Sequence, residues 1–247
     1  MNFFSLYKRN FLYKIKKKIN IDLDINHNKK TLEDLFSFYG TDKADSWGRN
    51  KTKGHGYSKY YEKHLYQFQQ KKINLLEIGS FSGASAASFA KYFSNSSIFC
   101  IDINISNFKF NSKRINVFGM DVSNYKSISN FYKKINITKN EYFFDVIIDD
   151  GSHKLSDILF SLNIFFKNLK KGGFYIIEDF KFPNYFKHLK DVDEITVDQM
   201  IKNIENKEDF NSNIISKDII NSLKNNTKIN YYKGNSGYSD IVFIEKT

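Results

Sequence analysis

Proline, cysteine and glycine are all scarce in this chain. Its 247 residues include one proline, one cysteine and twelve glycines. A single cysteine excludes a disulfide framework, and the apolar run around Cys100 predicts a buried thiol rather than a nucleophile. So few prolines and glycines leave no flexible linker, and no internal repeat is present. We therefore expect one main domain in a reducing compartment, which favours the cytoplasm.

Long hydrophobic runs are absent as well. No apolar stretch reaches the roughly 20 residues that a membrane-spanning helix needs. The first 20 residues carry lysines among their apolar positions and lack a small-residue cleavage site, which makes them a poor signal peptide. We expect neither a membrane span nor a secretory leader.

Acidic residues are outnumbered by basic ones. The chain has 38 lysines and arginines against 27 acidic residues, a formal net charge of +11. Such a balance can indicate a nucleic-acid partner. The lysines are spread almost evenly, however, and no RNA-binding module is recognisable. We expect no nucleic-acid partner, and we keep an RNA-binding protein as an alternative that steeply salt-dependent RNA binding would support.

The N-terminus is the densest basic segment. Aromatic and aliphatic residues alternate there with six basic ones, Lys8, Arg9, Lys14, Lys16, Lys17 and Lys18. A basic amphipathic helix of this kind can lie on an anionic membrane surface, at the inner face of the membrane. The pattern by itself favours a different interpretation, a frayed or core-covering helix that turns its lysines to water.

A helical extension with a long loop precedes the main domain. The motif TLED at Thr31 is a helix start, and apolar residues continue at helical spacing to Gly40. Residues 41–58 are polar and lack apolar periodicity, which predicts a loop, and loops of this length are usually functional or disordered. A second helix follows. We expect an N-terminal helical extension and capping loop in residues 1–70 and the main domain in residues 71–247.

The main domain alternates strands and helices. Strands are predicted at residues 73–79, 97–103, 115–121, 144–149 and 174–178. Helices are predicted at residues 84–93, 125–134 and 154–170. Residues 181–222 are mixed, and two β-rich runs joined by GNSG then predict a hairpin. This order indicates an α/β fold, a doubly wound, Rossmann-like and mostly parallel sheet with an antiparallel C-terminal hairpin.

Two predicted strands run directly into acidic residues. FDVIIDDGSH ends in Asp149 and Asp150, and GGFYIIEDF ends in Glu178 and Asp179. Parallel sheets bind ligands beyond the carboxyl ends of their strands, so these four side chains should share one crevice. Crowded carboxylates need a cation among them, which predicts a hard divalent metal. Taken singly, each residue has an ordinary structural explanation, since Asp-Gly is turn chemistry and Asp149 or Ser152 can cap the next helix.

The segment EIGSFSG joins a strand to a helix at residues 77–83. Its glycines permit a sharp turn and a close approach to the N–H groups at the helix start. Phe81 stands where a nicotinamide fingerprint has glycine, and no Gly-Lys-Ser/Thr follows, which excludes a Walker loop. The loop contributes four cofactor-binding candidates, Glu77, Gly79, Ser80 and Gly83.

Two aspartates follow the next two strands. Asp102 ends the second strand, where a carboxylate can accept both ribose hydroxyls of an adenosine, although a strand-end turn is the plain alternative. Asp121 follows the third strand and is placed to meet an adenine amino group. Capping of the next helix is an equally good explanation of Asp121.

The order of these motifs resembles the class I methyltransferases that use S-adenosylmethionine. The resemblance covers roughly residues 73–247. Within it, DDGSH followed by IIEDF, with GTDK and HGYS upstream, is similar to the metal-dependent sugar O-methyltransferases of the macrocin and mycinamicin type. A large N-terminal domain of that family has no counterpart here, where the N-terminal segment is short and basic.

The resemblance implies a set of roles. Asp150, Glu178 and Asp179 would bind Mg²⁺ or Mn²⁺, and His153 would be the general base. Asp149 would join the cofactor contacts. The loop with GTDK and HGYS would fold over the cofactor, with His55 and Tyr57 in contact with it. Trp47 in the same loop suits sugar stacking and loop packing equally well.

The expected function is metal-dependent transfer of a methyl group from S-adenosylmethionine to a sugar hydroxyl. The acceptor would be a small molecule, a glycolipid or a surface-polysaccharide precursor. A metal-dependent methyltransferase of catechol-like phenols would use the same carboxylates and stays open, as does an RNA methyltransferase. A catalytically silent binding module is disfavoured by the intact carboxylates and His153. Homo-oligomerisation and membrane contact through the N-terminus remain open expectations.

Overall fold

The structure is a computed structural model that describes residues 3–23, 31–48 and 50–247. The chain divides into two compact units. The first comprises Met1–Asp121 with Gly234–Ser236, and the second comprises Val122–Lys233 with Gly237–Thr247. This division does not test the boundary predicted between residues 70 and 71, which stays a prediction.

The first unit begins with helices and continues as alternating strands and helices. Its helices are α1 (Phe3–Ile15), α2 (Leu32–Tyr39), α3 (Ser58–Leu65) and α4 (Ala84–Tyr92). Its strands are β1 (Ile19–Asn20), β2 (Ser46–Trp47), β3 (Thr52–Lys53), β4 (Ile73–Ile78), β5 (Ser96–Asp102), β6 (Phe110–Asn111) and β7 (Ile115–Gly119). The helix predicted from TLED is confirmed, because the Thr31 side chain accepts a hydrogen bond from the Asp34 N–H and Gly40 ends the helix in the left-handed conformation.

Three neighbouring parallel strands position the carboxyl-end loops of the first unit. β4 pairs with β5, with Ile78 opposite Ile101, and β5 pairs with β7, with Asp102 opposite Gly119. The loops that follow these strands therefore meet at one edge of the sheet. Beneath them, Phe36, Tyr61 and Phe89 pack edge to face, with ring centroids 5.4 to 6.0 Å apart. This aromatic group joins α2, α3 and α4 into the core of the unit.

The second unit holds the C-terminal strands. Its helices are α5 (Tyr125–Ile135), α6 (Leu155–Phe165), α7 (Phe182–Tyr185), α8 (Val197–Glu205) and α9 (Lys217–Asn225). Its strands are β8 (Phe144–Asp149), β9 (Leu169–Glu178), β10 (Thr227–Lys233) and β11 (Asp240–Lys246). β8 and β9 are parallel, while β11 is antiparallel to β9 and pairs with β10 as the predicted hairpin. The parallel strands with an antiparallel C-terminal pair confirm the predicted sheet pattern.

Helix α6 ends earlier than predicted. It stops at Phe165 instead of residue 170, and β9 begins at Leu169 instead of residue 174. The buried side chain of Asn168 explains the break, because it donates to the carbonyls of Thr138 and Glu141 at 3.1 and 2.8 Å. It also accepts from the Tyr132 hydroxyl at 2.7 Å. These hydrogen bonds to a distant segment satisfy the buried amide of Asn168. A longer helix would move this amide away from its partners.

The N-terminal helix exposes apolar side chains, contrary to the favoured prediction. Tyr7, Phe11 and Ile15 of α1 are exposed, and so are Lys8 and Lys14. These lysines therefore face water as predicted, but the apolar residues on the same side of α1 do not cover the core. The part of the chain that the structure describes holds no helix long and apolar enough to cross a bilayer.

Candidate active site

The loop between β4 and α4 is a tight turn held to the neighbouring strand. The Gly79 N–H donates to the carbonyl of Ile101 at 2.8 Å, and Gly79 and Gly83 have φ of 88° and 79°. A side chain at Gly83 would also collide with the ring of Phe108. Phe81 adopts a positive φ of 41° without being glycine and is largely exposed. The predicted glycine loop therefore has a strained backbone at Phe81 and is exposed to solvent there, just before the start of a helix.

Asp102 connects this loop to the end of β5. One carboxylate oxygen accepts the Phe81 N–H at 2.7 Å, and the other accepts the Asn104 N–H at 2.6 Å. Each oxygen of a carboxylate has two lone pairs, so both retain capacity for a further donor. Asp102 therefore has a structural role in the turn, and its carboxylate can still accept a ribose diol.

The inner part of the glycine loop is buried. The Ser85 hydroxyl donates to the carboxylate of Glu77, which is buried at the end of β4. The Ser80 hydroxyl donates to the Glu77 carbonyl at 3.2 Å. Burial first, and then the charge of Glu77, raise the pKa of the Cys100 thiol well above its usual value. Cys100 is a buried free thiol, as predicted.

Asp121 does not cap the helix that follows it. The N-cap of α5 is Asn124, whose side chain accepts the N–H groups of Lys126 and Ser127 at 2.9 and 3.1 Å. Similarly, the residue at the N-cap of α6 is Lys154, so neither Asp149 nor Ser152 occupies that position. The capping explanations of Asp121 and Asp149 are therefore wrong, and their cofactor roles stay predictions.

The long polar loop is folded back on itself. The GTDK and HGYS motifs lie side by side, because the His55 N–H donates to the Asp42 carbonyl and the Tyr57 N–H to the Lys43 carbonyl, at 2.6 and 2.8 Å. The two-residue strands β2 and β3 form a small hairpin between them, so part of the segment predicted as a loop is paired as strands. Asn235 closes the arrangement by donating its N–H to the His55 carbonyl at 2.7 Å.

The side chains of this loop divide into buried and accessible ones. Tyr57 is fully buried and stacks obliquely on His55, with ring centroids 5.2 Å apart. The His55 imidazole lies 3.6 Å from the Asp42 carboxylate. Burial alone would raise the pKa of Asp42, but the hydrogen bond from His55 and the charge of Lys43 outweigh it and lower the pKa to about 2. Contact of His55 and Tyr57 with a cofactor stays a prediction, and Tyr57 supports the loop from within.

The carboxyl ends of β8 and β9 bring three predicted site residues together. Asp150, His153 and Asp179 each offer a ligand atom, and these atoms lie within 4.8 Å of one another. The two strands are parallel neighbours with Asp149 opposite Ile177, which is why the acidic residues after them meet. Glu178, the other predicted ligand, is buried at the end of β9 but lies outside this group.

Backbone strain marks the same cluster. His153 and Asp179 have positive φ values of 56° and 51°, which non-glycine residues adopt rarely. The Asp179 N–H donates to the Asp240 carbonyl at 2.6 Å, and this bond to β11 helps to hold the turn. Strained residues held in place by their surroundings are typical of functional sites.

Asp149 lies beneath the cluster in an apolar setting. Burial, opposed by the Gly151 N–H and reinforced by the charges of Asp150 and Asp157, raises the pKa of Asp149 to about 7. Burial, and then the charge of Asp149, raise the pKa of the Tyr175 hydroxyl as well. Neither Asp149 Oδ2 nor the Tyr175 hydroxyl completes a hydrogen bond in good geometry. A proton on Asp149 would limit the repulsion between this carboxyl and Asp150.

An aromatic row extends from His153 along α7. The rings of His153 and Phe182 lie 5.0 Å apart, and the row continues through Phe186 to Tyr238 at 5.3 and 5.5 Å. Tyr185 packs on Tyr238 at 5.2 Å and donates its hydroxyl to the buried carboxylate of Asp240. The sequence analysis identified His153 but not the aromatic residues of this row. The aromatic density of residues 180–186 was the available signal.

The donor set of this cluster suits a hard cation. Two carboxylates and an imidazole offer oxygen and nitrogen ligands within reach of one ion, and Asp150 and His153 are half-buried. Mg²⁺ and Mn²⁺ prefer such oxygen-rich sites and keep coordination positions open for water or substrate. The residues present therefore fit the implied metal.

Comparison with solved structures identifies the class of fold. No family model matches the chain. The chain superimposes on the MycE methyltransferase from the mycinamycin biosynthetic pathway, solved in complex with Mg and SAH, with a TM-score of 0.65 and 21% sequence identity. The match covers 89% of this chain and 55% of MycE. The chain has the α/β, Rossmann-like fold of class I methyltransferases, as predicted.

Curated relatives extend the similarity to particular proteins. Over 150 residues the chain is 31% identical to L-olivosyl-oleandolide 3-O-methyltransferase of Streptomyces antibioticus, covering 58% of this chain and 36% of that protein. Over 158 residues it is 26% identical to demethylmacrocin O-methyltransferase of Streptomyces fradiae, covering 61% and 36%. The predicted resemblance to sugar O-methyltransferases of the macrocin and mycinamicin type is confirmed. The matched region spans about a third of these relatives' length.

Proposed function

We propose that this protein is a metal-dependent O-methyltransferase that moves a methyl group from S-adenosylmethionine to a sugar hydroxyl. The convergence of Asp150, His153 and Asp179 is the observation that carries the proposal. Its support is twofold. The cluster combines metal ligands with a candidate base, and the named relatives are O-methyltransferases of L-olivosyl-oleandolide and demethylmacrocin, as their names state.

The two implied groups have separate residues to hold them. The glycine loop with Asp102 and Asp121 would hold S-adenosylmethionine, which would supply the methyl group. Asp150 and Asp179, with Glu178 or His153, would hold Mg²⁺ or Mn²⁺, which would lower the pKa of the acceptor hydroxyl. Asp102 accepts the ribose hydroxyls through the lone pairs that its two backbone contacts leave.

His153 is the proton acceptor of the reaction. A sugar hydroxyl is a weak nucleophile until its proton is removed, and an imidazole is suited to accept that proton. The Nε2 atom of His153 lies 3.7 Å from Oδ1 of Asp150, so the carboxylate that would bind the metal also orients the imidazole. No covalent intermediate with the protein is required.

The acceptor sugar lies against the aromatic row of Phe182, Phe186 and Tyr238. Aromatic faces pack on the C–H faces of sugar rings, and this row begins at the ring of His153. Because Phe182 and Phe186 follow β9 directly, residues 181–222 are the candidates for shaping the acceptor site. The acceptor is the sugar of a small glycoside, a glycolipid or a surface-polysaccharide precursor, and the buried thiol of Cys100 is compatible with a reducing, cytoplasmic location.

The proposal is tested by methyl transfer from labelled S-adenosylmethionine. The acceptors are glycosides with vicinal hydroxyls, catechols and RNA, each assayed with Mg²⁺ and with a chelator. We expect metal-dependent label in the glycosides, lost in His153→Ala and kept in the control His64→Ala, which changes a histidine on α3. Label in catechols alone would overturn the sugar assignment. Absence of cofactor binding by folded protein would overturn the methyltransferase assignment.

A further inference from the structure

Helix α1 packs on the first unit through its polar side. Arg9 donates to the carbonyl of Ile103 at 3.2 Å, and Asn10 donates to the carbonyl of Gly119 at 3.1 Å. Just after the helix, the Lys16 ammonium donates to the carbonyls of Ser106 and Asn107 at 2.9 and 3.1 Å. Two polar residues of the helix and the lysine that follows it are thus bonded to backbone oxygens of the unit.

Two close contacts fix this orientation. Tyr13 packs edge to face on the buried Phe108, with ring centroids 6.2 Å apart. A side chain at position 119 would overlap the Asn10 amide, so Gly119 makes room for the helix. The helix therefore cannot rotate its apolar side inward without losing its hydrogen bonds to the unit.

The opposite side of α1 is apolar and exposed. We define the outer face of α1 as Tyr7, Lys8, Phe11, Leu12, Lys14 and Ile15, which share one side of the helix. The exposed fractions are 65% for Tyr7, 53% for Phe11, 40% for Leu12 and 65% for Ile15. Lys8 and Lys14 on this face are exposed too. An apolar stripe in water, interspersed with lysines, marks an interaction surface.

We propose that the outer face of α1 binds the surface of an anionic lipid bilayer. Aromatic and aliphatic side chains would enter the boundary between headgroups and acyl chains, while Lys8 and Lys14 would meet lipid phosphates. The helix has 13 residues, too few to span a bilayer, so it lies along the surface. This inference does not depend on the proposed methyl transfer.

Charge selects the lipid surface over a second copy of the chain. Pairing two outer faces would bring the lysines of each copy together, and each copy carries a net charge of +11. Like charges on facing surfaces oppose such an association. An anionic bilayer instead attracts every lysine of the face.

The test is co-sedimentation of the full chain with vesicles. One set contains phosphatidylcholine mixed with phosphatidylglycerol, and the other contains phosphatidylcholine alone. We expect binding to the anionic vesicles that weakens at high salt. The double variant Phe11→Ser, Leu12→Ser should weaken binding by about tenfold or more, because it removes two apolar anchors. Both side chains are exposed, so the variant keeps the fold, and a thermal melt checks this.

Matched controls distinguish binding by the outer face of α1 from attraction by the net positive charge of the chain. Tyr66→Ser removes an aromatic ring that is 69% exposed elsewhere in the first unit and should leave binding unchanged. Lys8→Gln with Lys14→Gln should weaken binding roughly tenfold, since each lysine contributes to lipid attraction. The exposed pair Lys71→Gln with Lys72→Gln should have a much smaller effect. Equal losses in both lysine pairs would overturn the assignment to α1.

A second readout reports insertion directly. Phe11→Trp places an indole on the outer face, and its emission should shift to shorter wavelength with anionic vesicles only, beyond the signal of Trp47 in wild type. No binding to anionic vesicles, or binding that Phe11→Ser with Leu12→Ser leaves unchanged, overturns the proposal. Lipid-free self-association that the same variant abolishes would assign the face to a second copy instead.

Discussion

His153 and Asp150 form a close pair at the end of β8, with the imidazole Nε2 atom 3.7 Å from Oδ1 of Asp150. Each side chain is about one-fifth exposed, at 21% and 23%, so both are accessible and partly shielded from water. The turn between them is tight, because Asp149 Oδ1 accepts the Gly151 N–H at 3.3 Å. The pair can act in two ways, with His153 as a base oriented by Asp150 or as a further metal ligand.

Replacing His153 distinguishes these roles. If it is the base, His153→Gln should lower the turnover rate by roughly 10²- to 10⁴-fold, the usual contribution of a positioned base, while metal affinity changes little. Steady-state kinetics with a parallel Mn²⁺ titration measures both quantities. A large loss of metal affinity with a turnover rate restored by excess metal would assign His153 to the metal instead.

Asparagine at the metal carboxylates should raise the metal concentration needed for activity. Asp150→Asn and Asp179→Asn each remove one anionic ligand, and we expect losses of metal affinity beyond the roughly 10- to 100-fold typical of changes to residues that only orient a ligand. Calorimetric titration with Mg²⁺ measures the affinity. Asp145→Asn, at the other end of β8, is the control and should leave it unchanged.

Glu178→Gln decides whether the third predicted ligand binds the ion directly. Glu178 lies outside the group formed by Asp150, His153 and Asp179. If Glu178 is a ligand, its replacement should weaken Mg²⁺ binding as strongly as Asp179→Asn does. An effect no larger than that of Asp145→Asn would remove Glu178 from the metal site.

Asp102→Ala should weaken S-adenosylmethionine binding by at least about tenfold, because it removes the ribose acceptor and the anchor of the Phe81 N–H. Calorimetry measures the affinity. Asp22→Ala is the matched control, since the Asp22 carboxylate accepts the Ser112 hydroxyl and the Lys113 N–H at 2.7 and 2.9 Å in the same unit. Equal losses in both variants would show a general effect on the fold and contradict a ribose contact.

Lys246 should make stability depend on pH above neutrality. Its ammonium donates to the carbonyls of Phe166 and Leu169, and burial, with a smaller effect of Lys171, lowers its pKa from 10.5 to about 8. Between these values the unfolded chain binds more protons than the folded protein, so the free energy of unfolding rises with pH. We expect wild type to gain on the order of 2 kcal/mol relative to Lys246→Met across this window.

Urea unfolding at several pH values measures this difference. Comparison of wild type with Lys246→Met cancels the titration of tyrosines, which both proteins share. Lys134→Met, which changes an exposed lysine of α5, should follow wild type at every pH. Parallel curves for wild type and Lys246→Met would contradict a lowered pKa at Lys246.

Local patterns in the sequence were sufficient to predict much of the fold. The start of α2 depends on a cap within the same turn, where Thr31 accepts the Asp34 N–H at 3.1 Å. The strands β4 and β8 were predicted from short apolar runs and are buried in the structure. The acidic residues after β8 and β9 could be placed together because parallel neighbours end at the same edge.

Contacts between distant residues decided the rest. The end of α6 depends on Asn168, whose partners Thr138 and Glu141 lie in another loop. The aromatic row and the Asp240 carboxylate join β11 to α7, which no local pattern indicates.

The sequence by itself determined the order of strands and helices, the glycine loop and the acidic strand ends, because these follow from periodicity and turn chemistry within a few residues. Only the tertiary structure decided which side of α1 faces outward. The composition of α1 is that of an ordinary amphipathic helix, but Lys16 and Asn10 find backbone acceptors about a hundred residues away in sequence, at Ser106 and Gly119. Those bonds orient the polar side inward and leave Phe11 and Ile15 exposed.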